Sequence, residues 1–306
     1  MATYSLLDDI IFKIVFGSEA NRPLLRALLN ALLELSGPDR IVDVTILNPG
    51  IDKEYLVEKG AVLDVRAKDD RGRQYNVEVQ LTPQPEYVAR ALLYLARLYV
   101  GQLEKGDPYS KLRRTIGISL TDFVLFPDEP DLHSRYRFHD ATHGLELSDI
   151  LEIHFIELPK FRGDEPKCLG TPFEIWLHVL KYGPFYEDDS VSVPAELQQE
   201  EGIEMALDAM RRASASQEVR EMIEFRRKAE HDEASRLERA RNEGLEKGLE
   251  KDREEGREKG REEGREEGRE EGARKTLIAT ARRMREDGLD DETIHRVTGL
   301  SPDAYG

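Results

Sequence analysis

Cysteine is nearly missing: one residue, Cys168, in 306. That excludes an intrachain disulfide framework and any Cys-rich zinc module, and it fits a reducing compartment, so a cytoplasmic location is expected. No apolar run approaches the roughly 18 residues that a membrane span needs. The opening stretch MATYSLLDDIIFKIVFG has no basic region ahead of an apolar core, so neither membrane insertion nor export is expected. Phosphate-cradling GxxxxGK[ST] and strand-linked GxGxxG patterns are missing too, and no nucleotide cofactor is expected. Positive charge is in short supply, with 45 Lys and Arg against 62 Asp and Glu and a net charge of -17. Diffuse, sequence-blind adhesion to nucleic acid is excluded by that balance, although a local basic patch is not.

What is present divides along the chain. Hydrophobic residues at 39% suffice for a core, while charged residues at 35% require a long solvated segment somewhere. Helical spacing runs through Asp9 to Phe16, Pro23 to Gly37 and Gln84 to Gly106. Alternation marks two strands between Gly60 and Pro83, a strand from Thr115 to Phe126 and another from Leu151 to Leu158; Phe173 to Gly183 reads as a further helix. Helices and strands alternate without a strict βαβ repeat. The expected class is therefore α/β, with a mixed sheet flanked by helices in residues 1–230, a charged helical segment in 231–272 and a small helical hairpin in 273–306.

The charged segment repeats. Glycine stands at 244, 248, 256, 260, 264, 268 and 272, a period of four interrupted at Asp252. Each glycine inside a helix costs roughly 1 kcal/mol relative to alanine, while Glu-to-Arg pairs such as Glu258 with Arg261 return only a few tenths. Two readings stay open: a glycine stripe that lets a second helix approach, and a solvated, semi-flexible spacer. Past it, two short helices around Gly288 are expected, the second capped by Asp290 or Asp291. This hairpin reads either as a helix-turn-helix with Thr293, His295 and Arg296 at a DNA groove or as a packing element on another subunit.

The alternating stretch AVLDVRAKDDRGRQYNVEVQLTP carries the chemistry. A three-residue loop at Asp70, Arg71 and Gly72, with the glycine left-handed, pairs residues whose numbers sum to 142. Asp64 then faces Glu78, with Gln80 two positions on along the same face; Leu63, Val65, Ala67, Tyr75, Val77 and Val79 form the apolar face. The bland reading is an ordinary hairpin with a polar, solvated outer side. The chemical reading is that two facing carboxylates repel unless a cation lies between them, and hard oxygen donors suit Mg²⁺ or Mn²⁺. A divalent ion there suits hydrolysis of a nucleic-acid backbone.

At these residues the chain resembles a known family. The LDV around Asp64, the EVQ of Glu78 to Gln80, the FKIVFG box at Phe12 to Gly17, the helix ARALLYLARLYVGQLEKGDPYSKL and the glycine-glutamate-arginine tail look like the Rpn family of recombination-promoting nucleases and transposases. That family is similar to the wider PD-(D/E)XK nuclease superfamily. The resemblance implies a restriction-endonuclease-like core and metal-dependent DNA cleavage linked to recombination or transposition. It also implies Asp64, Glu78 and the Val79 carbonyl as Mg²⁺ ligands, and Gln80 where the superfamily has lysine. Gln80 cannot supply the charge that stabilises an attacking hydroxide, but it can orient a water. Asp9 matches the family's first motif, either approaching the metal or capping the first helix, and Lys13 beside it is a candidate phosphate contact.

Substrate grip has a candidate as well. Six basic residues (Arg90, Arg97, Lys105, Lys111, Arg113, Arg114) stand against two acidic ones between Arg90 and Arg114. Arg90, Arg97, Lys111, Arg113 and Arg114 are expected at DNA phosphates, or else on a solvated helix face. His139 and His143 have zinc-ligand spacing without a third ligand, and His154 reads as a structural or surface histidine. The expected function is a metal-dependent DNA endonuclease that forms homo-oligomers through its tail. The alternative is a catalytically degenerate DNA-binding or scaffold module.

Overall fold

A helical hairpin of apolar faces begins the core. Helix α1 (Asp9–Phe16) buries Ile10, Ile11, Phe12, Val15 and Phe16, and α2 (Arg22–Leu32), opened by Pro23 in its first turn, buries a leucine-rich face. The computed structural model describes residues 4–47, 65–186 and 191–306, with the side chains of 230, 233, 234 and 237 left aside. Asp64, expected as a metal ligand, lies outside the described residues.

After α2 the chain is returned to the sheet by Asn30, whose side-chain amide donates to the Ile41 carbonyl at 3.0 Å and whose oxygen accepts from Ile41 N at 2.8 Å. Strand β1 (Val44–Ile46) follows, then β2 (Val65–Asp69), β3 (Gln74–Gln80), helix α3 (Tyr87–Val100) and β4 (Thr115–Thr121). Strands β5 (His133–His139) and β6 (Glu146–Glu157) complete a sheet of six strands among the described residues, ordered β1-β2-β3-β4-β6-β5. β3, β4 and β6 are parallel neighbours, while the β1-β2, β2-β3 and β5-β6 pairs are antiparallel. The sheet is mixed, as expected, and its parallel centre explains why β4 is buried at all seven positions.

Each face of the sheet has its own apolar layer. One carries Val65, Ala67, Tyr75, Val77, Ile116, Ile118, Leu120 and Ile156 against α1, α2 and helix α4 (Pro172–Tyr182), with Trp176 fully buried. α4 opens with a capping box in which Thr171 and Glu174 satisfy each other's backbone donors. The other face carries Ile153 and Phe155 beneath Tyr87, Ala91 and Leu95 of α3, three residues at a four-residue spacing. Gly117 makes room for that helix: a Cβ there would meet Ile153 at 3.3 Å and Leu95 at 3.6 Å.

Short α5 (Ala195–Gln198), α6 (Ile203–Ala215) and the first turns of α7 (Gln217–Glu286) finish the first of two compact units, residues 1–229. The second unit, 230–306, holds the rest of α7 and α8 (Asp291–Thr298). The glycine repeat is helical throughout, and a Cβ added at any of its seven glycines would meet nothing within 4 Å. Ion pairs between exposed side chains, such as Glu271 with Lys275 at 2.9 Å, line that helix. The two helices expected around Gly288 are the end of α7 and α8. Gly288 at φ +88° makes the turn, Asp290 caps α8 by accepting from Thr293 N at 2.8 Å, and Ala281, Ile294 and Tyr305 form a small core. The acidic first turn of α8, Asp291 and Glu292 behind the Asp290 cap, opposes the groove-reading role considered for Thr293, His295 and Arg296. No helix among the described residues is long and apolar enough to cross a membrane.

Candidate active site on the third strand

The turn before β3 is built around one carboxylate. Asp69, 4% exposed, accepts from the backbone N of Arg71 at 3.0 Å and of Arg73 at 2.8 Å, from Arg73 Nε at 2.5 Å and from the Tyr75 hydroxyl at 2.9 Å. Gly72 takes φ +78°, the left-handed conformation the three-residue loop requires. The ladder beyond it pairs Lys68 with Gln74, Ala67 with Tyr75, Arg66 with Asn76 and Val65 with Val77, the expected register over the described residues. Val65 and Ala67 are buried while Arg66 and Lys68 are exposed, as alternation requires.

On β3 the expected pattern fails in an informative way. The bland reading puts Glu78, and by alternation Asn76, on a polar, solvated side, but Asn76 and Glu78 are 5% and 1% exposed. The reason is α3, which crosses over that face and encloses it. Residues 76, 78 and 80 register with Gly117, Ser119 and Thr121 of β4, so Glu78 sits at the floor of the layer that Tyr87, Ala91 and Leu95 roof.

A buried carboxylate needs a counter-charge or a cation. Arg90 of α3 supplies one, its Nη2 lying 3.0 Å from Glu78 Oε1. The same Nη2 donates to Gln80 Oε1, and Nη1 donates to Gln84 Oε1. Gln80 turns its amide nitrogen to the Thr82 carbonyl at 2.9 Å, and the Arg90 guanidinium lies 5.2 Å from the centre of the Tyr87 ring. Burial, joined by the Glu78 charge, holds the Tyr87 phenol protonated far above its ordinary range. Gln80, expected to orient a water, is bracketed between Arg90 and Thr82.

The other expected site residues are scattered. Asp9 opens α1, its Oδ1 accepting from Ile10 N at 2.8 Å and its Oδ2 lying 3.4 Å from Arg226 Nε; burial raises its pKa and Arg226 partly offsets the rise. The N-cap position belongs to Asp8 instead. Lys13, expected at a phosphate, is 4% exposed, and its stem lies where a Cβ on Gly17 would fall, 2.8 Å away at Cδ. The FKIVFG box is thus a packing unit in which glycine accommodates the lysine. Lys111 pairs with Asp107, and Arg114 pairs with Asp149 at 3.4 Å and Glu152 at 2.9 Å. Arg97 and Arg113 are exposed, the latter with its guanidinium on the Ser110 and Leu112 carbonyls at 2.8 and 3.1 Å.

A second buried charged cluster on the opposite face of β6 had no place in the sequence reading. Glu152 accepts from His154 Nε2 at 2.6 Å, Arg114 at 2.9 Å and Arg137, and His154 Nδ1 lies 2.7 Å from His133 Nε2. Burial opposes the Glu152 charge, but the His154 and Arg137 hydrogen bonds outweigh it and hold the carboxyl at about 2. Burial, with His154 and Arg135 nearby, pushes His133 down to about 4. The i, i+2 spacing of Glu152 and His154 on a strand was the available signal. His139 ends β5 and His143 lies in the loop beyond it, on Asp140 at 3.2 Å.

Among the described residues no group of three or more His, Cys, Asp or Glu is arranged to hold a metal. The donors that β3 does offer, the Glu78 carboxylate and the Val79 carbonyl, are oxygens only, a chemistry that fits a hard divalent cation rather than zinc. No curated protein and no solved structure matches the chain. A family model described as PD-(D/E)XK nuclease family transposase matches residues 6–240, far more than half of the chain. With its mixed six-stranded sheet between helices and its EVQ strand roofed by α3, a restriction-endonuclease-like α/β fold, the chain belongs to the PD-(D/E)XK nuclease family transposases.

Proposed function

We propose that the chain is a metal-dependent DNA endonuclease whose cut serves recombination or transposition, acting in a reducing cytoplasm. The observation that carries the reading is Glu78: an acid 1% exposed, on the central strand of a nuclease-family fold, in a ladder whose last described pair is Val65 with Val77. Continued by one further step, that register would set Asp64 opposite Glu78, as the alternation of the sequence expects. Asp64, Glu78 and the Val79 carbonyl would then hold Mg²⁺ or Mn²⁺. Such an ion, when bound, lowers the pKa of a coordinated water and stabilises charge on a phosphodiester oxygen.

The chain's own residues prepare that chemistry. Tyr87, Ala91 and Leu95 exclude bulk water from one side of Glu78, which strengthens electrostatic interactions there. Arg97 and Arg113, exposed on α3 and the loop after it, contact DNA phosphates, and Lys111 and Arg114 join them by exchanging Asp107 and Asp149 for substrate. Asp9 steadies the end of α1 through Arg226. The glycine-repeat helix joins copies of the chain into a homo-oligomer.

Supercoiled plasmid incubated with the full chain tests the reading. Nicking that requires Mg²⁺ or Mn²⁺, stops with chelator and disappears in Asp64→Ala and Glu78→Gln is expected. Metal-independent thermal stability with no nicking would favour the degenerate DNA-binding or scaffold module, the reading to which Gln80 in the lysine position lends support.

A further inference from the structure

Position 80 leaves the proposed site short of a positive charge, and the structure shows where one is kept. Arg90 comes from α3, not from the strand, and both elements hold its guanidinium. Glu78 and Gln80 of β3 accept from Nη2, Gln84 accepts from Nη1, and Tyr87 lies beside it. Gln80 is itself anchored by its bond to the Thr82 carbonyl, so its oxygen presents a fixed acceptor to Arg90. Three of the five guanidinium N–H donors are engaged in this way. The Nε–H is buried and has no hydrogen-bond partner among the described residues.

A simple neutralising role for Arg90 needs one bond to Glu78. It does not need two glutamines aimed at the same group. Arginine is also the side chain whose planar fork matches a phosphate, and it stays charged at any working pH. We infer that Arg90 delivers from α3 the positive charge at the scissile phosphate that Gln80 cannot deliver from β3, and that Gln80 and Gln84 are the positioning residues that aim it. This rests on the endonuclease reading above, and it turns the apparent defect at position 80 into a division of labour between charge and aim.

The test uses the full chain and three readouts: single-turnover nicking of supercoiled plasmid in Mn²⁺, duplex binding by anisotropy in Ca²⁺, and Mn²⁺ binding by electron paramagnetic resonance. Removing one preorganised donor to a developing charge costs about 100-fold or more in rate, and Arg90→Ala should lose that much. Its Mn²⁺ and duplex affinities should move by less than about tenfold, and added guanidinium should restore part of the rate. Gln80→Met should lose rate in the same direction without losing Mn²⁺ binding. If Arg90→Ala does not fold, Arg90→Lys replaces it, keeping charge without the fork; a rate loss at unchanged metal affinity is expected there too. Arg90→Ala cutting within tenfold of the wild type overturns the inference alone, and so does a loss of Mn²⁺ affinity that parallels the loss of rate, which would make Arg90 a prop for Glu78. A wild type that nicks with neither metal overturns the endonuclease reading and this inference with it.

Discussion

Glu152 Oε1 lies 2.6 Å from His154 Nε2, joining two buried side chains of one strand that share a face. The chain of bonds continues to His133, and both ends of it titrate away from their ordinary values. Glu152 is held at about 2, so its contribution is complete above the ordinary carboxylate range and fades as pH falls towards about 2. His133, at about 4, favours folding while neutral, so that share is lost as pH falls from the ordinary histidine range towards about 4. These two groups therefore withdraw stability in acid over separate pH windows, His133 in the upper and Glu152 in the lower. Urea denaturation from pH 7 to pH 3 checks this: His133→Phe should flatten the upper step and Glu152→Gln the lower. Glu152→Gln should also cost about 3 kcal/mol at pH 7, because Arg114 and Arg137 would lose the buried carboxylate they share and keep only the more exposed Asp149 and Glu146.

Asp8 gives the opposite sign. Burial and the neighbouring Asp9 charge raise it to about 6, with Arg227 offsetting part of the rise. A carboxyl raised in the folded state contributes stability below its unfolded value, and that stability disappears as pH rises through about 6. Asp8→Asn, which keeps a good N-cap residue, should stabilise the protein at pH 7 on the order of 2 kcal/mol and change little at pH 3. Equal denaturation midpoints of the two proteins at pH 7 would contradict the assignment.

Gly72→Ala isolates the turn. At φ +78° an alanine is strained, and its Cβ would fall 3.3 Å from Arg113 Cγ, the middle of a flexible side chain that can give way. The expected cost is about 1–2 kcal/mol from backbone conformation, read as a shift of the denaturation midpoint with an unchanged slope.

Much of this hairpin was legible because it is local. Gly72 demands its turn, and period-two alternation on Val65, Arg66, Ala67 and Lys68 fixes which side faces the core. Burial of Asn76 and Glu78 was not legible, since it depends on α3 folding back over β3, a contact between separate elements. Arg90 was visible as a basic residue on a helix, but its bond to Glu78 depends on that same crossover. Asp69 reads as one more acid in KDDRG, and only the folded turn makes it the acceptor of four donors. Strand β1, three residues long, carries too little periodicity to announce itself, and β6 begins five residues earlier than its apolar half because β5 pairs with the polar part. The two-sided polarity of the glycine repeat gave no sign of how continuous its helix is.

That repeat supports a prediction about assembly. If the tail joins copies, a chain ending before Gly244 should fall to one subunit per particle by light scattering while keeping its folded first unit. Alanine at Gly256, Gly260, Gly264 and Gly268 enters open space in the single chain and should raise helicity, by roughly 1 kcal/mol of helix propensity per site. Loss of the assembled species on that substitution would show that the glycines are the contact; an unchanged particle mass after truncation would make the tail a spacer.

The proposed chemistry rests on a single cation shared by the hairpin acids. Anomalous diffraction from crystals soaked in Mn²⁺ measures that directly. A peak within about 2.0–2.3 Å of a carboxylate oxygen from each of Asp64 and Glu78 is the predicted result. Carboxylates facing opposite sides of the sheet, or a fully exchanged crystal with no peak at Glu78, would contradict it.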